Sequence, residues 1–158
     1  MAAVHMKIVG GRELEAGFRS LMDDFDVSKT TVKNTMKRGL VEALQPMADV
    51  ASSLAPDDPE TGGNDLRHSI VAGTKLTPRQ ARLAKKDSKN FVTVYAGTAD
   101  PAGLYQEFGT VNHGPQPFMR PAFAQEAKAT IDRVVGALQK QLAKATARAK
   151  AKALKKAG

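Results

Sequence analysis

The three histidines of this 158-residue chain, His5, His68 and His113, are its side chains best suited to bind a metal or move a proton near neutral pH. They stand far apart, and none has a second histidine or a carboxylate three or four residues on along a predicted helix, the spacing that puts two ligands on one face. His68 adjoins Ser69, with Asp65 three residues earlier, which are the residue types of a nucleophile, a base and an orienting acid. Neighbouring side chains on a strand point to opposite faces, however, so these three read as polar groups of a strand. Gly62-Gly63 and Gly109 match neither a GxxxxGK[ST] loop nor a strand-borne GxGxxG, which argues against nucleotide binding. Glu107, in the run YQEFG, is a lone acid in apolar surroundings. A general base is one role for it; a salt bridge or a hydrogen bond from neighbouring backbone is the preferred one. The chain is therefore expected to have no catalytic residues, no metal and no cofactor, and not to be an enzyme.

The segment over residues 104–123, LYQEFGTVNHGPQPFMRPAF, is built for contact instead. It gathers Tyr105, Phe108, Phe118 and Phe123 in a chain that is only 5% aromatic, so these rings are among its largest sources of apolar area. Pro115, Pro117 and Pro121 deny the backbone between them a continuous helix or a central strand. A rigid, shaped loop leading into a helix follows, suited either to recognition or to anchoring the core.

Around that segment the elements can be placed by periodicity. Residues 4–9 alternate weakly and read as a short strand or arm ending at Gly10-Gly11. Leu14, Phe18, Leu21, Met22 and Phe25 repeat at helical spacing, Asp26 and Ser28 offer a stop and a new N-cap, and a longer helix carries the stripe from Val32 to Leu54, kinked by Pro46. The turn-rich PDDPETGGND is a loop, and residues 66–73 and 91–97 read as two antiparallel strands joined by a long basic loop. Tyr105 and Phe108 lie on a short helical turn beginning near Asp100-Pro101. From Pro121 the chain is helical, with a buried stripe of Phe123, Ala127, Ile131, Val134, Val135, Leu138 and Leu142. Beyond Leu142 the stripe thins to Ala145, Ala149 and Ala153 between lysines, a pattern that keeps helix propensity but buries little, so this end is expected to project from the body or to fray without a partner. The fold class is α+β: a small antiparallel sheet packed against a long N-terminal helix pair and a long C-terminal helix. Residues 1–142 form one domain and 143–158 a basic helical extension.

The length suits one domain with a real core, and the absence of cysteine excludes disulfides and thiolate metal sites. No apolar run reaches membrane-spanning length and the first residues lack a signal-peptide layout, so a soluble protein not exported by that route, with no membrane partner, is expected. The net charge of +8 is unevenly placed. One basic segment holds Lys75, Arg79, Arg82, Lys85, Lys86 and Lys89, and the C-terminal one holds Lys144, Arg148, Lys150, Lys152, Lys155 and Lys156 without any acid. These cations form a solvated surface, a non-specific nucleic-acid surface acting through phosphates, or a dock for acidic proteins. Asp23, Asp24, Asp26, Asp57, Asp58, Glu60 and Asp65 lie elsewhere, so identical copies can meet acidic side to basic side.

Four stretches together resemble one family. APDDPETGGNDLRHSI is similar to its segment after a long helix, FVTVYAGT resembles its second strand, and LYQEFGT and QPFMRPAF look like its Y-x-E-F-G-T and P-F-x-R-P-A signatures. This is the tail-component family of lambdoid, Hong Kong 97-type phages, the gene-ten-like neck or tail-completion proteins. The doubled Gly62-Gly63 with Asn64 and the long Ala/Lys end depart from its pattern. The resemblance implies a non-catalytic virion subunit of the head–tail joint, a homo-oligomeric ring around the DNA channel that touches neighbouring neck and tail proteins, with host cytoplasm the place of assembly. Tyr105, Glu107, Phe108, Phe118, Arg120 and Phe123 are then the expected interface, and the basic segments face DNA or an acidic partner.

Overall fold

The structure is a computed structural model and describes residues 11–57, 66–83 and 92–157. The arm expected over residues 4–9, most of the acidic loop, and the cations Lys85, Lys86 and Lys89 lie outside the described residues. In chain order the elements are α1 (Gly11–Asp23), α2 (Lys29–Leu54), α3 (Leu66–Ser69), β1 (Ile70–Gly73), α4 (Pro78–Leu83), β2 (Tyr95–Thr98), α5 (Ala102–Phe108) and α6 (Met119–Ala157). The protein is thus α+β, mostly helical, with one two-stranded antiparallel sheet and a long C-terminal helix. Two compact units are distinguished, Met1–Leu40 with Ile131–Gly158, and Val41–Thr130, and α2 and α6 each contribute residues to both.

The first unit is helical. Leu14, Phe18 and Leu21, at steps of four and three along α1, are buried with Val32 of α2 and Leu138 of α6. Between α1 and α2, Asp26 takes a positive φ of 50° and Ser28 Oγ accepts the Thr31 N–H at 3.3 Å, the N-cap the sequence announces. Ala145 and Ala149 also pack against this cluster. The Ala/Lys-rich end is therefore seated along its own unit as far as Ala149, and not a projection beginning after residue 142; Leu142, Ala145 and Ala149, at steps of three and four, share the face that lies against the cluster.

The second unit has a lean core. Ala48 and Ala51 of α2, with Ala55 just past its end, make a low seat on which Leu66, Ile70, Phe118 and Ala122 close. Phe118, 0% exposed, is the largest side chain fully buried there. α2 runs through Pro46 without ending. Its last turn is closed by Arg67, whose Nε donates to the Ala55 carbonyl at 2.8 Å while Nη1 reaches Asp57 at 3.0 Å, a cation placed at the negative end of the helix.

β1 and β2 pair in the register Ile70↔Thr98, Val71↔Gly97, Ala72↔Ala96 and Gly73↔Tyr95. Residues 66–69, expected as strand, form a helical turn, in which Ser69 Oγ donates to the Leu66 carbonyl at 2.7 Å. The basic connection is not all loop either. Thr77 and Gln80 cap α4 reciprocally: the Gln80 N–H reaches Thr77 Oγ1 at 3.3 Å and the Thr77 N–H reaches Gln80 Oε1 at 2.9 Å, with Pro78 at the first helical position. Gln80 Nε2 then donates to the Thr98 carbonyl at 2.9 Å and fastens α4 to β2.

Candidate functional site

A helix as long as α6 begins with backbone N–H groups that have no partner inside it, and here each is accounted for. The Phe118 and Met119 N–H groups donate to Glu107 Oε2, both at 2.8 Å, and the Arg120 N–H donates to Oε1 at 3.2 Å. Pro121 has no N–H to satisfy, and the Ala122 N–H makes the first helical bond, to the Phe118 carbonyl at 3.2 Å. One carboxylate from α5 therefore caps α6, where the positive end of the helix dipole favours a negative charge.

The Arg120 side chain completes the arrangement. Its Nε donates to Glu107 Oε1 and its Nη2 to the Glu107 main-chain carbonyl, each at 2.8 Å. Glu107 is only 5% exposed. Burial pushes its carboxyl up, but the Arg120 guanidinium and the three backbone donors outweigh that and hold it below the ordinary glutamate range. Every lone pair used this way is unavailable to abstract a proton from a substrate, so Glu107 is a structural anion, as its preferred reading anticipates.

α5 is placed by close approach. Gly103 lies against β2 so tightly that a Cβ there would fall 2.3 Å from Thr98 Cγ2. The Asp100 carboxylate accepts the Ala102 N–H at 2.8 Å at the start of α5. At its end Gly109, with φ 77°, donates to the Tyr105 carbonyl at 2.7 Å; a Cβ there would sit 2.9 Å from the His113 carbonyl oxygen. The chain then doubles back through a Thr110–His113 bridge, and the Gln116 N–H returns to the Gln106 carbonyl at 2.7 Å.

With Gly103 and Glu107 turned inward, α5 presents Leu104, Tyr105 and Phe108 outward at helical spacing. Tyr105 is 55% exposed, Phe108 64% and Phe123 62%. Arg120 lies over the Phe108 ring at 5.2 Å, and Phe123 stands one turn further along α6. The expected interface set is thus divided. Tyr105, Phe108, Arg120 and Phe123 are on the surface, whereas Glu107 and Phe118 are interior, and Phe123 is absent from the buried stripe predicted for it because Phe118 and Ala122 face the core. Leu104 on α5 and Val111, which sequence reasoning passed over, are exposed as well.

The expected DNA- or acid-facing cations are exposed where they are described. Lys75, Arg79 and Arg82 are exposed on and before α4, and Lys144, Arg148, Lys150, Lys152 and Lys155 are exposed along α6. Of Lys156 only its place in the helix is described. His68 is exposed on α3, and among the described residues no three His, Cys, Asp or Glu side chains converge in a way that could hold a metal ion. No described helix is long and apolar enough to cross a membrane.

Residues 19–109 match the model of a family described as "Bacteriophage HK97-gp10, putative tail-component", more than half of the chain. The chain belongs to that family of phage tail components. The region matched to the HK97-gp10 family ends at Gly109, so it includes the YQEFG run and stops before QPFMRPAF, the stretch that the fold binds to Glu107. No curated protein and no solved structure matches the chain.

Proposed function

We propose that this tail component is a structural virion protein of the phage head–tail joint, a neck or tail-completion subunit. It acts without catalysis, by oligomerising as a ring around the DNA channel and docking onto neighbouring neck and tail proteins. One observation carries the reading: Tyr105, Phe108 and Phe123 are exposed on two helices that Glu107 and Arg120 tie together by hydrogen bonds. Large rings held rigid at the surface lose little entropy on binding, and aromatic and arginine side chains are those that dominate interface energies. A site of chemistry would place its titratable groups where a substrate can reach them, whereas Glu107 is sealed beneath this surface. The test is complementation of a phage lacking the gene with a Phe108→Ser, Phe123→Ser double variant. Folded protein that leaves heads and tails unjoined is the expected result; wild-type titres would sink the proposal.

A further inference from the structure

We infer that the C-terminal half of α6 is a docking ridge for the phosphodiester backbone of double-stranded DNA, an inference that deepens the reading of the chain as a subunit around a DNA channel and rests on it. Lys140, Lys144, Arg148, Lys152 and Lys155 follow one another at steps of four, four, four and three residues. At 3.6 residues per turn these steps keep all five within roughly a third of the helix circumference over a rise of about 22 Å. All five are exposed, and α6 carries no acidic residue after Asp132. The adjoining face of the same stretch, with Leu138, Leu142, Ala145 and Ala149, packs in the first unit's core and fixes the helix there.

The chemistry of the ridge selects its partner. It has no aromatic side chain for base stacking, and its ammonium and guanidinium heads, spread along one helix, match the repeating phosphates of a duplex backbone. Asp23, Asp24 and Asp26, with Arg38, line the cleft of about 660 Å³ that Arg148 and Lys152 border. Those acids temper the field at Arg148 and Lys152, so Lys144 and Lys155 carry a larger share of the attraction than either. With three to five phosphates neutralised, log K should fall against log salt with a slope of roughly −2.7 to −4.5.

The experiment measures binding of the full chain to a 40-base-pair duplex of arbitrary sequence across a salt series, for the wild type and two variants of equal net charge. The ridge variant replaces Lys140, Lys144, Arg148, Lys152 and Lys155 by Gln, which keeps helix propensity; the control replaces Arg12, Arg19, Lys29, Lys37 and Lys128, cations outside both basic segments, by Gln. Circular dichroism establishes that both are folded. Affinity at least tenfold lower with a flattened salt slope in the ridge variant alone is the expected result. Absence of binding at low salt, equal losses in both variants, or a ridge variant that loses only self-association would each overturn the inference. Because the readout uses the isolated chain, particles that join normally from a chain indifferent to DNA would overturn this inference and leave the head–tail reading intact. Unjoined particles are the readout of the aromatic variants instead.

Discussion

Arg120 grips Glu107 twice, at the carboxylate through Nε and at the main-chain carbonyl through Nη2, so the last turn of α5 and the first turn of α6 are tied by side chain and backbone together. The same guanidinium covers one face of Phe108. The surface that Phe108 and Phe123 present is thereby set by an interior carboxylate, and this link yields distinct expectations for the inner and outer residues.

Glu107→Ala should destabilise the protein by about 2–3 kcal/mol, because it strands three backbone donors and a guanidinium at once. Glu107→Gln, which keeps one acceptor oxygen, should cost less. Urea unfolding monitored by circular dichroism measures both. Equal stability of wild type and Glu107→Ala would mean that α6 starts without needing this cap.

The pH dependence follows from the direction of the Glu107 shift. Its folded pKa lies below the ordinary glutamate value, so the folded state binds this proton more weakly than the unfolded chain does. The stabilisation is complete above the unfolded value and is lost as pH falls through the folded one. The gap in urea midpoint between wild type and Glu107→Gln should therefore be widest near neutrality and shrink in acid. A gap that is flat with pH would contradict the assignment of charge to this carboxylate.

Phe118 and Phe123 should behave oppositely despite their shared sequence setting. Phe118→Ala empties the centre of a core otherwise made largely of alanines, and a loss of about 3–5 kcal/mol is expected. Phe123→Ala removes a ring from the surface and should shift stability by no more than about 0.5 kcal/mol. Thermal melts of the two variants distinguish them, and comparable losses would show that Phe123 is also packed in the free protein.

Gly109→Ala should cost about 1 kcal/mol or more, since its φ of 77° is unfavourable for a residue with a Cβ and the added atom meets the His113 carbonyl. Loss of stability accompanied by loss of the aromatic surface's binding is expected, read by calorimetry and particle complementation; an unchanged melting temperature would show that the α5–α6 connection tolerates another path.

Much of this architecture was legible in local pattern. The apolar stripes of α1 and α2, the Ser28 cap, the Asp100 turn into α5 and the long final helix all follow from spacing and capping chemistry that neighbouring residues determine. The T-P-R-Q box that starts α4 was equally present in the sequence, but its place inside a run of cations favoured a loop reading. The choice of Phe118 over Phe123 as the buried ring was not legible. It depends on how α6 is rotated over the alanine seat of α2, and that rotation is fixed by Glu107, eleven residues before Phe118. The helical turn over residues 66–69 was masked for a similar reason, because its Leu and Ile belong to the same core as the strand that follows.

The most direct test is the structure of the intact virion by electron microscopy, at a resolution that places side chains. Tyr105, Phe108 and Phe123 should lie at the head–tail joint, buried against a neighbouring subunit, with Glu107 and Arg120 paired behind them as in the free chain. Those three rings facing solvent in the assembled particle would contradict the central claim.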